Sequence, residues 1–199
     1  MPGPLMHRAA MRQCRKLLKQ INIPVTVGKP SENMKPDLGD SHGWDFYKSN
    51  SGSLLDKIEN QYEIIKQLVE ACGKDFKKID KEAFSEAVRF LCHYTEDAHS
   101  IGQLSSKLWG KIDNKIDIRS EFVTRKRKYK VELLDFKSKE AIRESLYDSM
   151  KSVYNTYHER AESSWFLVSR HIRNMAWNAV KCGAEYTAAY VNLALHKTK

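Results

Sequence analysis

The sequence is poor in glycine and proline and has no long apolar run. Nine Gly and five Pro occur among its 199 residues, and neither a low-complexity tract nor a repeat of fixed period is present. We therefore do not expect extended disorder away from the ends of the chain. No apolar run reaches the roughly 18 residues that a membrane-spanning helix requires. We accordingly expect a folded chain with no transmembrane segment.

Features of exported proteins are also sparse. The four cysteines lie far apart, and no Cys-x-x-Cys spacing occurs, which gives no zinc-finger signal and little support for disulfides. We expect free, partly buried thiols at Cys14, Cys72, Cys92 and Cys182. Residues 1–21 lack the continuous apolar centre of a secretory signal, so a signal is either absent or already removed.

The charge balance is strongly basic. The chain has 34 Lys and Arg against 25 Asp and Glu, a net charge of +9, and its pI is about 9.3. Such a balance favours an anionic partner such as a phosphodiester, a nucleic acid or an acidic membrane surface, without choosing among them. A basic run at residues 125–130 fits either phosphate contacts or a solvated surface.

Helical periodicity is the dominant pattern, and it predicts an all-α single domain of five or six helices over residues 1–199. Residues 5–21 are typical of an amphipathic helix. Residues 54–72 carry an apolar stripe that stops at Gly73, as expected for a core helix. The next helix is predicted from about residue 81 to residue 104.

The rest of the chain divides into a long loop and further helices. Residues 22–53 collect Pro and Gly, which predicts a long loop that carries site residues. Residues 142–157 and 165–180 show two more helical stripes. Gly183 is predicted to interrupt the second of these before a last helix through Leu193. No strand-like alternation of useful length is present.

His93 and Asp97 form the pattern that bears most directly on chemistry. They stand four residues apart on a predicted helix, so both side chains emerge on one face and can bind one divalent metal ion. A metal-dependent hydrolase is the first hypothesis from this pair. A solvated contact between neighbouring turns is the alternative, because seven His and 25 acidic residues place some such pairs by chance.

Two short segments of the chain share a pattern with a known family. In one, the motif His-Tyr-x-x-Asp-x-His/Asn-x-x-x-His is filled in register by His93, Tyr94, Asp97 and His99. In the other, one helix earlier, a Pro-Asp turn precedes a Ser-His-aromatic stretch that contains one extra Gly. Its residues are Pro36, Asp37, Ser41, His42, Gly43 and Trp44. Together the segments resemble the zinc-dependent phospholipase C family, whose relatives include the fungal single-strand-specific nucleases.

The resemblance implies an all-helical fold, one to three zinc ions in a cleft and hydrolysis of a phosphodiester. Asp37, His42, His93 and Asp97 would bind the first zinc, a donor set that suits Zn²⁺. Asp37 would also accept the proton of the attacking water. His7 resembles the His of the family's first helix and is a further candidate ligand, although its place on a basic helix is also typical of an unliganded His.

The chain departs from the family pattern at several positions. Gln103 stands where the family has a zinc-binding His at the end of the central motif. Asp117 and Glu121 occupy the place of a His-x-x-x-Glu motif and are candidate ligands. With Gln103 they would suit Mg²⁺, Mn²⁺ or Ca²⁺, and a scattered charged surface is the favoured alternative. The family's N-terminal Trp, which binds a third zinc, has no counterpart. Asp40 is an alternative to Asp37 because the interval before the next His is short.

Three functions follow from these patterns. A phospholipid or a related phosphoester is the favoured substrate, because residues 41–46 look closer to the lipase branch than to the nuclease branch. A single-strand-specific nuclease is the second possibility, to which the positive charge contributes. The third is a non-catalytic helical binding protein with a degenerate metal site, which the departures favour. The resemblance implies secretion, and the oligomeric state stays open.

Overall fold

The computed structural model describes residues 4–33, 42–43, 52–73, 75–100, 130–163 and 165–196. Six helices lie in these ranges, which confirms the predicted all-α class. They are α1 (Pro4–Gln20), α2 (Pro30–Asn33), α3 (Leu54–Ala71), α4 (Lys81–Asp97), α5 (Lys139–Ser163) and α6 (Trp165–His196). Helix α6 packs against α1, α3, α4 and α5 and is the centre of the bundle. None of these helices is long and apolar enough to cross a membrane.

The first two long helices form where the apolar stripes predict them. Helix α1 buries one face, and its members include Ala10, Cys14 and Leu17. Helix α3 begins at the N-cap Ser53, whose hydroxyl accepts a hydrogen bond from the Asp56 amide (3.2 Å). This contact satisfies one of the amides that a helix start leaves open. Its buried residues all belong to the predicted stripe, whose other two members, Leu68 and Cys72, are partly buried. The buried residues are Leu54, Leu55, Ile58, Tyr62, Ile65 and Val69.

Helix α4 starts as expected but is shorter than predicted. Its N-cap Asp80 accepts hydrogen bonds from two amides of the first turn at 3.0 Å each. The helix ends at Asp97 rather than at residue 104. After it, the His99 amide donates to the Glu96 carbonyl (3.0 Å) and the Ser100 amide to the Asp97 carbonyl (3.1 Å). These tighter bonds close the last turn, a feature that apolar periodicity does not report.

The prediction that Gly183 interrupts the last helical region is wrong. Helix α6 runs continuously for 32 residues through this position. A Cβ atom at Gly183 would lie 2.6 Å from Cβ and 2.9 Å from Cα of Glu96 in α4. The glycine therefore allows two helices to approach closely, and it does not break the helix that contains it.

Part of the predicted loop at residues 22–53 has regular structure. Helix α2 lies within it, and two two-residue strands, β1 (His42–Gly43) and β2 (Gly52–Ser53), pair in parallel. Strands of this length are too short to produce the alternation that identifies strands in a sequence. All four cysteines are free, and two of them are buried, as predicted.

Candidate metal centre

Three buried side chains from two helices meet at one point of the bundle. His7 comes from α1, and His93 and Asp97 come from successive turns of α4. One ligand atom of each lies within 4.8 Å of the others, and the three side chains are at most 2 % exposed. His93 Nε2 and Asp97 Oδ2 are 3.3 Å apart. Two imidazoles and a carboxylate at this spacing could hold a metal ion.

The orientation of His93 is set by a backbone carbonyl. Its Nδ1 lies 3.0 Å from the carbonyl oxygen of Asn33, which can only accept a hydrogen bond. In neutral His93 the proton therefore resides on Nδ1, and Nε2 presents a lone pair toward Asp97. Asn33 is itself held, because its side-chain amide donates to the carbonyls of Val27 (3.0 Å) and Lys29 (2.7 Å). Such support of the distal ring nitrogen is typical of metal-binding histidines.

His7 contacts the imidazole ring of His93 and the carboxylate of Glu96. Its ring lies 3.9 Å from that of His93, measured between centroids and tilted by 30°. Its Nδ1 forms a contact with the Glu96 carboxylate. A carboxylate that holds one nitrogen of an imidazole leaves the other nitrogen available as a ligand and raises its basicity. Glu96 is thus a supporting residue of the cluster.

The buried carboxyl group of Glu96 does not keep its ordinary pKa. Burial raises the pKa of Glu96 from 4.5 to about 7, with a further increase from the nearby Asp97; His7 and His93 act in the opposite direction. Two acidic groups and two imidazoles that share a site away from water cannot all be charged without cost. A divalent cation would compensate the negative charge and order the ligands.

His99 is near the cluster in sequence but has a different role. Its side chain does not face solvent, since the residue is 2 % exposed. Its Nδ1 lies 3.0 Å from the Thr95 carbonyl and its Nε2 2.8 Å from Ser149 Oγ in α5. Burial lowers the pKa of His99 to about 4. The residue therefore joins the end of α4 to α5 as a neutral imidazole.

The remaining candidate ligands fall largely outside the described part of the chain. For His42 only the backbone is described, in β1. The others that lie outside are Asp37, Asp40, Gln103, Asp117 and Glu121. Of the candidate ligands predicted from the sequence, the structure thus brings together His7, His93 and Asp97.

Two supporting residues were not found from the sequence. Glu96 interrupts the apolar stripe of α4 beside Asp97, and three consecutive polar residues in a core helix were the available signal. Asn33 gave no signal, because its contribution is a backbone carbonyl. Comparisons with protein-family models, with curated proteins and with solved structures found no match. The cluster and the two sequence motifs are therefore the basis for a functional assignment.

Proposed function

We propose that the protein is a zinc-dependent phosphodiester hydrolase of the phospholipase C type, with His7, His93 and Asp97 as zinc ligands. The observation that carries this proposal is the meeting of the first-helix His with the His-x-x-x-Asp pair of α4. Both elements belong to the family that the sequence motifs resemble. Two imidazoles and one carboxylate are also a usual protein donor set for catalytic zinc, which keeps one position open.

The residues around the cluster support this chemistry. A bound zinc ion would supply Lewis acidity toward a phosphoryl oxygen and would lower the pKa of a water molecule. The Asn33 carbonyl keeps the metal-facing nitrogen of His93 unprotonated, and Glu96 orients His7. Asp37 remains the proposed proton acceptor, and a phospholipid the favoured substrate. The net charge of +9 attracts such anionic substrates.

A second candidate function has one observation in its favour. The three ligands are nearly inaccessible to solvent, with exposures of 2 % for His7, 1 % for His93 and 0 % for Asp97. A closed metal site stabilises a fold, whereas a catalytic site keeps an open coordination position. A non-catalytic helical binding protein with a structural metal would have this burial.

Metal content is the first test of both candidates. Elemental mass spectrometry on protein purified without chelator would be compared among wild type, His93→Ala and Asp97→Asn. Matched controls are His196→Ala and Asp135→Asn, since both residues are exposed. We expect at least one zinc per chain, lost in the first two variants and kept in the controls. Folded wild-type protein without metal would overturn both candidates.

Turnover then separates the two candidates. Zinc-loaded protein would be incubated with phosphatidylcholine vesicles and, in parallel, with single-stranded DNA. Release of a phosphorylated headgroup that is lost in Asp97→Asn supports the phospholipase, and cleavage of DNA supports the nuclease alternative. Bound zinc without turnover of either substrate would favour the structural metal site.

A further inference from the structure

One side of α1 carries a row of positive charge. The helix contains no Asp or Glu, and its basic residues are Arg8, Arg12, Arg15, Lys16 and Lys19. Because an α-helix has 3.6 residues per turn, all of them fall within an arc of about 100° around the helix axis. From the first to the last, the row extends about 16 Å along the helix.

The remaining circumference of α1 is buried in the bundle. It packs mainly against α6 and α4, and its buried residues are Met6, His7, Ala9, Ala10, Met11, Gln13, Cys14, Leu17 and Leu18. On the charged side, Arg15, Lys16 and Lys19 are exposed, whereas Arg12 has an interaction partner within the chain. The three exposed cations form the basic face of α1, and the packing behind them holds this face in place.

The charge of the basic face is not compensated by the residues that the structure describes. Elsewhere in the bundle a cation is paired with an acid, as Arg143 Nη1 is with Glu59 (2.7 Å). Among the described residues, no carboxylate forms an ion pair with a cation of the basic face. Lys16 donates to Gln13 Oε1 (3.1 Å), which is a neutral acceptor. An external anion would therefore find uncompensated positive charge here.

The shape of the basic face favours a flat anionic surface over a nucleic acid. Proteins bind single strands with cations and with aromatic side chains on which the bases stack, and α1 contains no Phe, Trp or Tyr. A helix that reads a duplex enters the major groove, whereas α1 is buried on its other sides. An anionic bilayer requires only a row of exposed cations near its surface.

We propose that the basic face of α1 docks the protein on an anionic phospholipid bilayer. The docking is electrostatic, because Ile64 of α3 is the only exposed large apolar side chain among the described residues. The helix therefore adds no apolar anchor that would insert between the lipids. The proposal goes beyond the proposed function, since it requires neither bound zinc nor turnover of a substrate.

Sedimentation with vesicles tests the proposal. Protein as purified would be mixed with vesicles of phosphatidylcholine alone and with vesicles that also contain phosphatidylserine. We expect binding only to the vesicles with phosphatidylserine. This binding should be lost at about 1 M salt, where charges are screened over about 3 Å. Equal binding to both kinds of vesicle, or binding to neither, would overturn the proposal.

A variant without the three charges assigns the binding to α1. Each cation near an anionic bilayer contributes about fivefold to the binding constant. The triple variant Arg15→Gln/Lys16→Gln/Lys19→Gln is therefore expected to bind vesicles with phosphatidylserine about a hundredfold more weakly than wild type. All three residues are exposed, so the variant should fold. Unchanged vesicle binding in this variant would contradict the proposal.

A matched variant controls for net charge. Lys77→Gln/Lys78→Gln/Lys137→Gln removes the same charge from exposed positions outside α1 and should bind the vesicles like wild type. An equal loss in this control would mean that the net charge, and not the basic face, causes the binding, and would overturn the proposal. Double-stranded DNA is the parallel probe. Binding of DNA without binding of vesicles would assign the basic face to a nucleic acid instead.

Discussion

Two sides of the same turn of α4 contact different helices in different ways. Toward α6, Thr95 Oγ1 lies 3.1 Å from the Gly183 carbonyl and 2.8 Å from the Thr187 hydroxyl. These buried polar groups satisfy one another, as expected for a packing contact. Toward α1, His93 and Asp97 meet His7 in a cluster of ionisable groups.

The difference shows how a structural polar contact and a candidate functional site can be told apart. On the α6 side, each neutral donor finds an acceptor, and no charge has to be compensated. On the α1 side, several ionisable groups share a buried site, and the pKa of Glu96 is raised to about 7 chiefly by burial. A bound cation would compensate the charge of the cluster between α4 and α1 and would leave the hydrogen bonds between α4 and α6 unaffected.

The largest expected effect is stabilisation by zinc. A ligand present at about a thousandfold excess over its dissociation constant raises the free energy of unfolding by about 4 kcal/mol. Urea unfolding with and without zinc should show this increase in wild type and lose it in His7→Gln and His93→Gln. His196→Gln should keep it, since His196 is exposed at the end of α6. An equal increase in all four proteins would place the zinc elsewhere.

The free energy of unfolding should depend on pH through His99, a residue that belongs neither to the contact with α6 nor to the metal cluster. Burial and the nearby Lys181 lower its pKa from 6.5 to about 4, whereas the Thr95 carbonyl raises it. Its contribution is complete above pH 6.5 and is lost as the pH falls toward 4, because the unfolded chain binds the proton first. The difference between these two pKa values, 6.5 and about 4, corresponds to about 3 kcal/mol.

The measurement is urea unfolding of wild type and His99→Gln between pH 4 and 7, and the quantity compared is the free energy of unfolding. Glu96 has the opposite effect on stability over this pH range. Its pKa is raised from 4.5 to about 7, so its contribution to the free energy of unfolding is lost as the pH rises. The Glu96 contribution is common to both proteins and cancels in their difference. A stability difference that does not vary with pH would contradict the assignment to His99.

Gly183→Ala should break the close approach of α4 and α6. The new methyl group would lie 2.9 Å from Cα of Glu96, which is backbone and cannot rotate away. Overpacking of this kind costs about 3 kcal/mol, and the better helix propensity of Ala returns about 1 kcal/mol. We expect a net loss of about 2 kcal/mol in urea unfolding. Asn178→Ala, on the exposed face of α6, should show no loss.

The smallest expected effect is that of Thr187→Val. The change keeps the side-chain shape but removes the hydroxyl that donates to the Gly183 carbonyl (2.6 Å). We expect a loss of about 1 kcal/mol in the free energy of unfolding, with zinc affinity unchanged. Thr156→Val is the matched control, because Thr156 makes the same bond to a preceding carbonyl on an exposed surface. Reduced zinc affinity in Thr187→Val would show that the two sides are coupled.

The sequence predicted which segments are helical better than it predicted where the helices end and what their glycines do. The stripe of α3 and its stop at Gly73, where φ is +58°, follow from periodicity and from a common helix terminus. Gly183 gave the opposite result, because a glycine that ends a helix and one that admits a neighbour look the same in sequence. Only the tertiary structure, which places Glu96 against Gly183, shows that this glycine admits a neighbouring helix.

The sequence by itself determined the class of fold and the pairing of two of the three ligands of the candidate metal centre, His93 and Asp97. Four residues are close to one helical turn, so the spacing of His93 and Asp97 already places both on one face of α4. The tertiary structure alone decided that His7 completes the cluster and that Asn33 orients His93. Those partners come from other elements, and their approach depends on how packed helices cross, which no local spacing in the chain encodes.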